Sequence, residues 1–479
     1  MNYKSFFLLF AGIFSFFLLS AQEAGPWSLE RCIDHALDQN LMIKQAELNV
    51  ESETLNLGQS RRNRLPDLGG AATAAFNRGF SINPVDNQVV RSNSYFTNYS
   101  VSGGVSVYAG RSLTNTIEKR EIDLLTSRTD LQQAEYDMVL SVATGFLSVL
   151  FNEEILKNAR TQIESTREQR ERTSKLVKAG SLPKASLYDL DAQIATEELA
   201  IVNSENQLQL AKLNLRQMLL IEDGEPFEIE RPDFEDFIPL LPLLGPTEIY
   251  EAAESSFPSI RSADLRIQSL EKDVEIAKAQ KLPSLSAWYQ FNTRTSSLSK
   301  RVVDEQITQV PIMVGIPDIG PDPITLLFPS TSFTTETYPY FSQFWDNRGF
   351  AVGLSLNVPL YNKGQVTTNT QLADIGVRNA RIGSQLQRQQ LKQSIEQAYL
   401  DVRSAYGSFL SVEKQIEALE VAFENSEKQL NLGTINATDF TLAKNNLNRA
   451  RVDLLRAKYD FIFKSKILDF YLGKPIKLE

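Results

Sequence analysis

The chain has 479 residues, 42% of them apolar, with 49 basic against 59 acidic side chains and a formal charge of −10. That charge, with no Lys/Arg-rich block, argues against a nucleic-acid partner. One histidine (His35) and one cysteine (Cys32) cannot build the usual zinc, thiol or Ser-His-Asp sites, so no metal, cofactor or catalytic chemistry is expected.

Residues 1–21 read as a cleaved export signal: Lys4, an apolar run from Phe6 to Leu19, then Ser20 and Ala21 before Gln22. The run is too short and wrongly flanked to be a spanning helix, and no later stretch has enough consecutive apolar residues to span a bilayer. Cys32 lies well past the cut, so it is not a lipidated first residue. Segment 22–64 holds a helix from Leu29, stopped by Leu65 and Pro66. Segment 65–110 carries two strands, 68–76 and 99–107. In the second, apolar residues or glycine hold every odd position and Ser or Gly every even one.

Segment 111–221 is a helical hairpin. Its long arm, 111–179, has no proline and a single glycine, Gly145. Apolar residues fall seven apart, as Ile117, Leu124, Leu131 and Met138, then Val142, Val149, Leu156 and Ile163, the period of helices wound on helices. Gly180 ends this arm, and Pro183 opens a shorter antiparallel helix. Segment 222–246 is acidic and proline-rich, and reads as an extended linker or belt.

The pattern then repeats. Segment 247–281 is a helix matching the first at an offset of 217, with Ile43 on Ile260 and Leu48 on Leu265. Segment 282–361 carries two more strands, 285–291 and 352–360, separated by a proline-rich stretch, 293–349, that reads as an irregular outer loop. Segment 362–479 repeats the long helix over 364–432, a turn at Gly433 and a shorter helix over 437–470. Here the offset is 253: Tyr108 falls on Tyr361, Val142 on Ile395, Val149 on Val402 and Gly180 on Gly433. Helices 184–221 and 247–281 end to end nearly match one long helix, as do 29–64 and 437–470. Each such pair is expected to line a long helix.

Alternating strands with aromatics at their ends (Tyr95, Phe96 and Tyr108; Tyr340, Phe341, Trp345, Phe350 and Tyr361) fit a barrel wall between lipid and a watery lumen. Two hairpins of a soluble sheet are the other reading. Four strands cannot close a barrel, and an open edge in lipid leaves backbone groups unsatisfied. A membrane barrel therefore requires several chains.

The duplicated order, the paired Leu-Pro strand starts, the junctions Val107–Arg111 and Pro359–Gly364, and the turns Lys178–Leu182 and Asn431–Ile435 resemble the TolC-like outer-membrane efflux family across nearly the whole mature chain. The resemblance implies a mainly α chain with a membrane β-barrel part. It further implies a homotrimer closing one twelve-stranded barrel in outer-membrane lipid, continued by an α-helical periplasmic tube. The implied function is the passive exit duct of a tripartite efflux pump or type I secretion system, docked to a periplasmic adaptor and an inner-membrane pump or exporter. Its adaptor contacts would be the turns Gly180, Ser181 and Leu182 and Gly433, Thr434 and Ile435; Leu182 and Ile435 read equally as packing against a neighbouring hairpin.

In that family acidic rings past the turn glycine narrow the pore. Asp439 matches the first such position, Leu442 departs from the second, and Ser186 stands at the first-copy counterpart of Asp439. A gate ring would thus rest on Asp439, with Asp189 as its companion. The local reading is a helix cap at Asn436 with Asp439 at its third position, and the same spacing at Ser186 and Asp189. Readings from other classes are a periplasmic adaptor and a structural coiled coil. Adaptors carry one hairpin between lipoyl-like and barrel domains, and a coiled coil leaves the strands unexplained.

Overall fold

A computed structural model describes residues 25–82, 89–222, 227–231, 241, 244–314, 324–432, 434–474 and 476. The export signal expected at 1–21, the turn residue Gly433 and most of the acidic segment 222–246 lie outside the described residues. The chain divides into two compact units: residues 1–55, 120–270 and 375–479 form the first, and residues 56–119 and 271–374 the second.

The first unit is helical. α1 (Leu29–Gln39) starts at Ser28, whose hydroxyl accepts from the Arg31 amide at 3.2 Å. α2 (Leu41–Arg62) follows after a break that replaces the single helix expected over 29–64. Asn40 is extended. Its side-chain oxygen accepts from the Met42 amide at 2.8 Å, and its amide nitrogen donates to the Met218 carbonyl at 3.2 Å. Side-chain bonds of this kind compete with helix continuation.

α3 (Ser112–Lys178) and α8 (Gln365–Asn431) are the long helices, each of 67 residues. α4 (Ala185–Leu219) and α9 (Ala437–Tyr471) are their 35-residue returns. The helix expected over 247–281 is also two, α5 (Pro246–Ser256) and α6 (Pro258–Ala279). Pro258 has no N–H and its ring forces Phe257 into an extended conformation.

α4 lies antiparallel along α3, with Lys212 on Glu153 at 2.8 Å and Arg160 on Glu205 at 2.8 Å. α6 lies along the same helix nearer its start, where Arg266 meets Asp130 at 2.9 Å. The second pairing is not made among the described residues. α9 does lie on α8, through the Tyr406–Phe461 and Phe423–Phe440 ring pairs. α1 and α2 instead pack toward α3 and α4, through Asn40 on Met218 and Glu53 beside Arg120.

Two apolar clusters form the core. In one, Val142, Phe146 and Val149 of α3 meet Leu215 and Leu219 of α4 and Ala36 of α1; in the other, Ile395 and Val402 of α8 meet Ile249, Ile260 and Phe461. The duplication survives as burial: Val142 and its counterpart Ile395 are both fully buried, as are Val149 and Val402. Each such side chain contributes about 1.5–3 kcal/mol over leaving it in water. Contrary to expectation, α3 contains a stretch long and apolar enough to pass as a membrane span. Its Val142, Phe146, Val149 and Leu150 belong to the core of this unit, which accounts for part of the composition.

The second unit is built on a four-stranded antiparallel sheet in the order β1 (Gly69–Ile82), β2 (Val89–Ala109), β3 (Ser284–Ser296), β6 (Gly349–Asn357). Among the described residues β1 and β6 are its unpaired edges. Register puts Val101, Phe291 and Phe350 in one row, and Leu285 opposite Leu356 on the same face. Ser100, Asn292, Ser102 and Gln290 line the other. The apolar face is open: Phe350, Val352, Leu354 and Leu356 are each at least 65% exposed.

The strands run further than the expected 68–76 and 99–107, taking in much of the stretch between them. The stretch 293–349 is not an irregular loop either. It holds a second sheet, β4 (Lys300–Val314) paired with β5 (Ile324–Thr337), and a short helix, α7 (Tyr340–Asp346). Pro311 and Pro329 fit because a two-stranded ladder has only edges, where a missing amide can face outward.

The Leu65-Pro66 motif earns its place through Asp67. Its amide donates to the Gly104 carbonyl at 3.0 Å, its carboxylate accepts from the Gly104 amide at 2.9 Å, and its carbonyl accepts from the Tyr289 hydroxyl at 2.9 Å. At the strand-to-helix junctions both copies use two consecutive left-handed residues, Gly110 and Arg111 in the first, Lys363 and Gly364 in the second. The conformation is retained at the 253 offset while the glycine changes place.

Candidate functional site at the helical hairpin turns

Gly180 has φ +76° and closes α3: its amide donates to the Val177 carbonyl at 3.0 Å and the Ser181 amide to Leu176 at 2.9 Å. This is the left-handed cap that satisfies the last carbonyls of a helix. Thr434 closes α8 in the same relation, its amide donating to the Gln429 carbonyl at 2.9 Å and its hydroxyl at 3.0 Å. Ser181 and Thr434 are exposed, and Leu182 and Ile435 are half-buried.

The two copies then start their return helices differently. Asn436 caps α9, its side-chain oxygen accepting from the Asp439 amide at 2.7 Å, with Asp439 in the first turn. The matching cap expected of Ser186 and Asp189 is not made. Ser186 is buried inside α4, whose first turn is closed by Ser186 and Leu187 amides on the Pro183 and Lys184 carbonyls. The Asp439 and Asp189 carboxylates are both exposed, with no salt-bridge partner among the described residues. Asp191, two residues on, is bound by Arg170 of α3, and that hydrogen bond holds its carboxyl below the ordinary range. The two turns belong to adjacent helices: Gln193 of α4 and Asn445 of α9 exchange hydrogen bonds at 3.2 and 3.3 Å.

Behind the turns lies a polar cluster that the sequence reading missed. Glu197 of α4 is buried, and its Oε1 accepts from Gln162, Thr166 and Gln193, each at 2.9 Å. Lys444 of α9, also buried, donates to the Thr166 hydroxyl at 3.2 Å. Burial pushes the Lys444 ammonium below the usual lysine range, and the nearby charges of Glu197 and Glu168 oppose that shift. Three helices are thereby tied together just past the turns. A signal existed: Leu190, Glu197, Ser204 and Ala211 are buried seven residues apart, so a carboxylate occupies a core position of α4. Also missed were Tyr188 and Leu432, which with Leu442 are large apolar side chains at least 60% exposed around the turns. Among the described residues no group of three or more His, Cys, Asp or Glu is arranged to hold a metal.

The family model described as "Outer membrane efflux protein" matches residues 32–219 and 249–474, both halves of the duplication. The chain belongs to that family. Among relatives of this efflux protein, the outer membrane protein TolC of Escherichia coli (strain K12) is 20% identical over 91% of this chain and 80% of its own length. The outer membrane efflux protein BepC of Brucella suis biovar 1 is 17% identical over 94% of this chain and 86% of its own. Of solved structures, the outer-membrane channel OprN superposes with a TM-score of 0.72 at 16% identity, covering 93% of this chain and 89% of that one. The Campylobacter jejuni CmeC outer membrane channel gives 0.68 at 16% identity, over 94% and 87%.

Proposed function

We propose that three copies of this efflux protein form a passive exit duct, with a twelve-stranded barrel in the outer membrane and helical walls in the periplasm. The carrying observation is the four-stranded sheet with one open apolar face and two unpaired edges, β1 and β6. In lipid those edges must be satisfied by another copy. The helices likewise call for neighbouring copies. Leu372, Ile375, Ile382 and Leu386 of α8 and Leu41, Met42, Leu48 and Leu55 of α2 are all more than half exposed, and neither stripe is covered within the chain. The α2 of one copy is the missing lining for the α8 of the next.

A periplasmic adaptor and an inner-membrane pump or exporter would dock at the turns Gly180, Ser181 and Leu182 and Gly433, Thr434 and Ile435. Asp439, with Asp189, would ring the aperture. Capping by Asn436 leaves the Asp439 carboxylate exposed, so cap and ring are compatible. A ring of like charges would favour cations.

Heat-resistant trimers on a mild gel, outer-membrane fractionation and conductance in planar bilayers test the assembly; a conducting Asp439→Ala variant tests the gate. The gate reading expects higher single-channel conductance or weaker cation preference, and unchanged values remove it. Ile435→Glu is expected to abolish export while trimers still form, and normal export would sink the docking assignment.

A further inference from the structure

The helix α7 does not float between strands; it is pinned to the apolar face of the sheet. Gln343, 3% exposed, bonds the Ser296 backbone on both sides, accepting from its amide at 2.8 Å and donating to its carbonyl at 3.0 Å. The Thr293 hydroxyl donates to the Phe344 carbonyl at 2.6 Å, and the Asn347 side chain donates to the Arg294 carbonyl at 2.7 Å. The Tyr340 hydroxyl lies 2.9 Å from that of Tyr99, and the rings of Tyr99 and Phe344 meet edge-on at 5.4 Å. A seven-residue helix has no stability of its own. These contacts hold it in one orientation.

That orientation turns Phe341 and Trp345, one helical turn apart, away from the protein at 75% and 55% exposure. Thr293, Thr295 and Tyr99, which receive α7, share their face with Val101, Phe291 and Phe350. Whatever covers the apolar sheet face also meets α7. From Leu285 to Thr295 the strand covers about 34 Å at ~3.4 Å per residue, or roughly 26 Å of depth at a tilt of ~40°, against an apolar band of ~25 Å in barrel walls. The helix therefore sits where that band ends, at the far end of β3 from its Leu282-Pro283 start.

Arg348 completes the arrangement. Its guanidinium stands 5.0 Å from the centre of the Trp345 ring, and its Nε donates to the Trp345 carbonyl. Its remaining donors have no carboxylate partner among the described residues. Trp345, Arg348, Phe291 and Phe350 line a shallow notch of about 470 Å³. Asp346 lines it too, but its carboxylate is engaged by the Tyr338 hydroxyl. Aromatic side chains that sit at a lipid interface, beside a planar cation that grips phosphate through two parallel hydrogen bonds, fit one occupant.

We propose that α7 is an interfacial anchor. Phe341 and Trp345 enter the outer acyl layer, and Arg348 binds the phosphate of an anionic membrane lipid. The proposal rests on the outer-membrane channel reading and adds a lipid site to it.

The test uses the full chain in proteoliposomes containing dibrominated phosphatidylglycerol or dibrominated phosphatidylcholine, with tryptophan quenching as readout. The other tryptophans, Trp27 and Trp288, stay in place, and comparison with Trp345→Phe isolates Trp345. Quenching is expected to drop sharply in that variant. Half-quenching of the Trp345 component is expected at about fivefold less phosphatidylglycerol than phosphatidylcholine, the scale of one basic side chain at an anionic surface. Arg348→Gln should bring that ratio to one. Equal quenching in wild type and Trp345→Phe, or an anionic preference that survives Arg348→Gln, overturns the anchor. Conductance of the same liposomes separates the two readings: a conducting protein without Trp345 quenching refutes the anchor alone, and loss of both refutes the channel as well.

Discussion

Replacing Glu197 by alanine should loosen the helices behind the turns and little else. The change removes one acceptor from three donors at once, Gln162, Thr166 and Gln193, and takes away the negative charge facing Lys444. Deleting one partner of a buried charged cluster costs about 3–5 kcal/mol. The second carboxylate oxygen, Oε2, is buried without a hydrogen bond, so part of the charge's desolvation is uncompensated and is relieved by the substitution. That places the expected cost at the low end, about 3 kcal/mol. Glu197→Gln keeps an acceptor at Oε1 and loses only the charge, for about 1 kcal/mol. Native-state hydrogen exchange reads this locally. At about 1.4 kcal/mol per tenfold, the alanine variant should exchange roughly 150-fold faster and the glutamine variant about fivefold faster. The affected amides are those around Thr166, Gln193 and Lys444, while those around Ala36, Ile395 and Phe461 keep wild-type rates. Exchange within about twofold of wild type in the alanine variant would refute the claim that this cluster ties the three helices together.

Lys444→Met should flatten the alkaline stability profile. In the unfolded chain the lysine titrates near the ordinary lysine value of 10.5 and in the folded chain lower, so between the two the unfolded state holds more protons and stability rises with pH. Denaturant midpoints of wild type minus Lys444→Met should therefore climb through the alkaline range below 10.5, and a flat difference contradicts the burial. The Cys32 thiol, pushed up to about 12 by burial with a small opposing effect from Arg31, should resist iodoacetamide in the folded protein and react in guanidinium. Labelling at the unfolded rate under native conditions would show the site to be open. Gly103→Ala drives its new Cβ into the Asp67 carbonyl and the Tyr289 hydroxyl, whereas at Gly104 the nearest atom is the Ala287 carbonyl at 3.2 Å. The first should abolish heat-resistant trimers and the second only lower their dissociation temperature, and equal effects would contradict the packing.

Much of the fold was legible because the chain writes it twice. Ile43 and Ile260, matched at the 217 offset, are both 2% exposed, and the 253 offset pairs Val142 with Ile395 at full burial. The Asn40 break was hidden because it depends on Met218, far away in the chain. The Pro258 break was legible in principle, since a proline stood inside the expected helix and was read through. The β4–β5 hairpin was hidden because prolines signal loops, and only pairing shows that a two-stranded ladder leaves them an outer edge. At the turns, Gly180 and Asn436 could be read from local chemistry. Of the Glu197–Thr166–Lys444 cluster only the seven-residue spacing of Glu197 with Leu190, Ser204 and Ala211 could be read, because its partners lie on three helices far apart in the chain.

The bare edges of the four-stranded sheet also set a hazard in time. A single copy carries two rows of unpaired amides and carbonyls, on β1 and β6, beside an apolar face. Such edges pair with any strand they meet. In the assembly proposed above, a copy that has not yet met its sisters must be escorted or kept dilute. A variant with one sound edge and one damaged edge would join wild-type chains and leave the ring unclosed, so such mutations should be dominant.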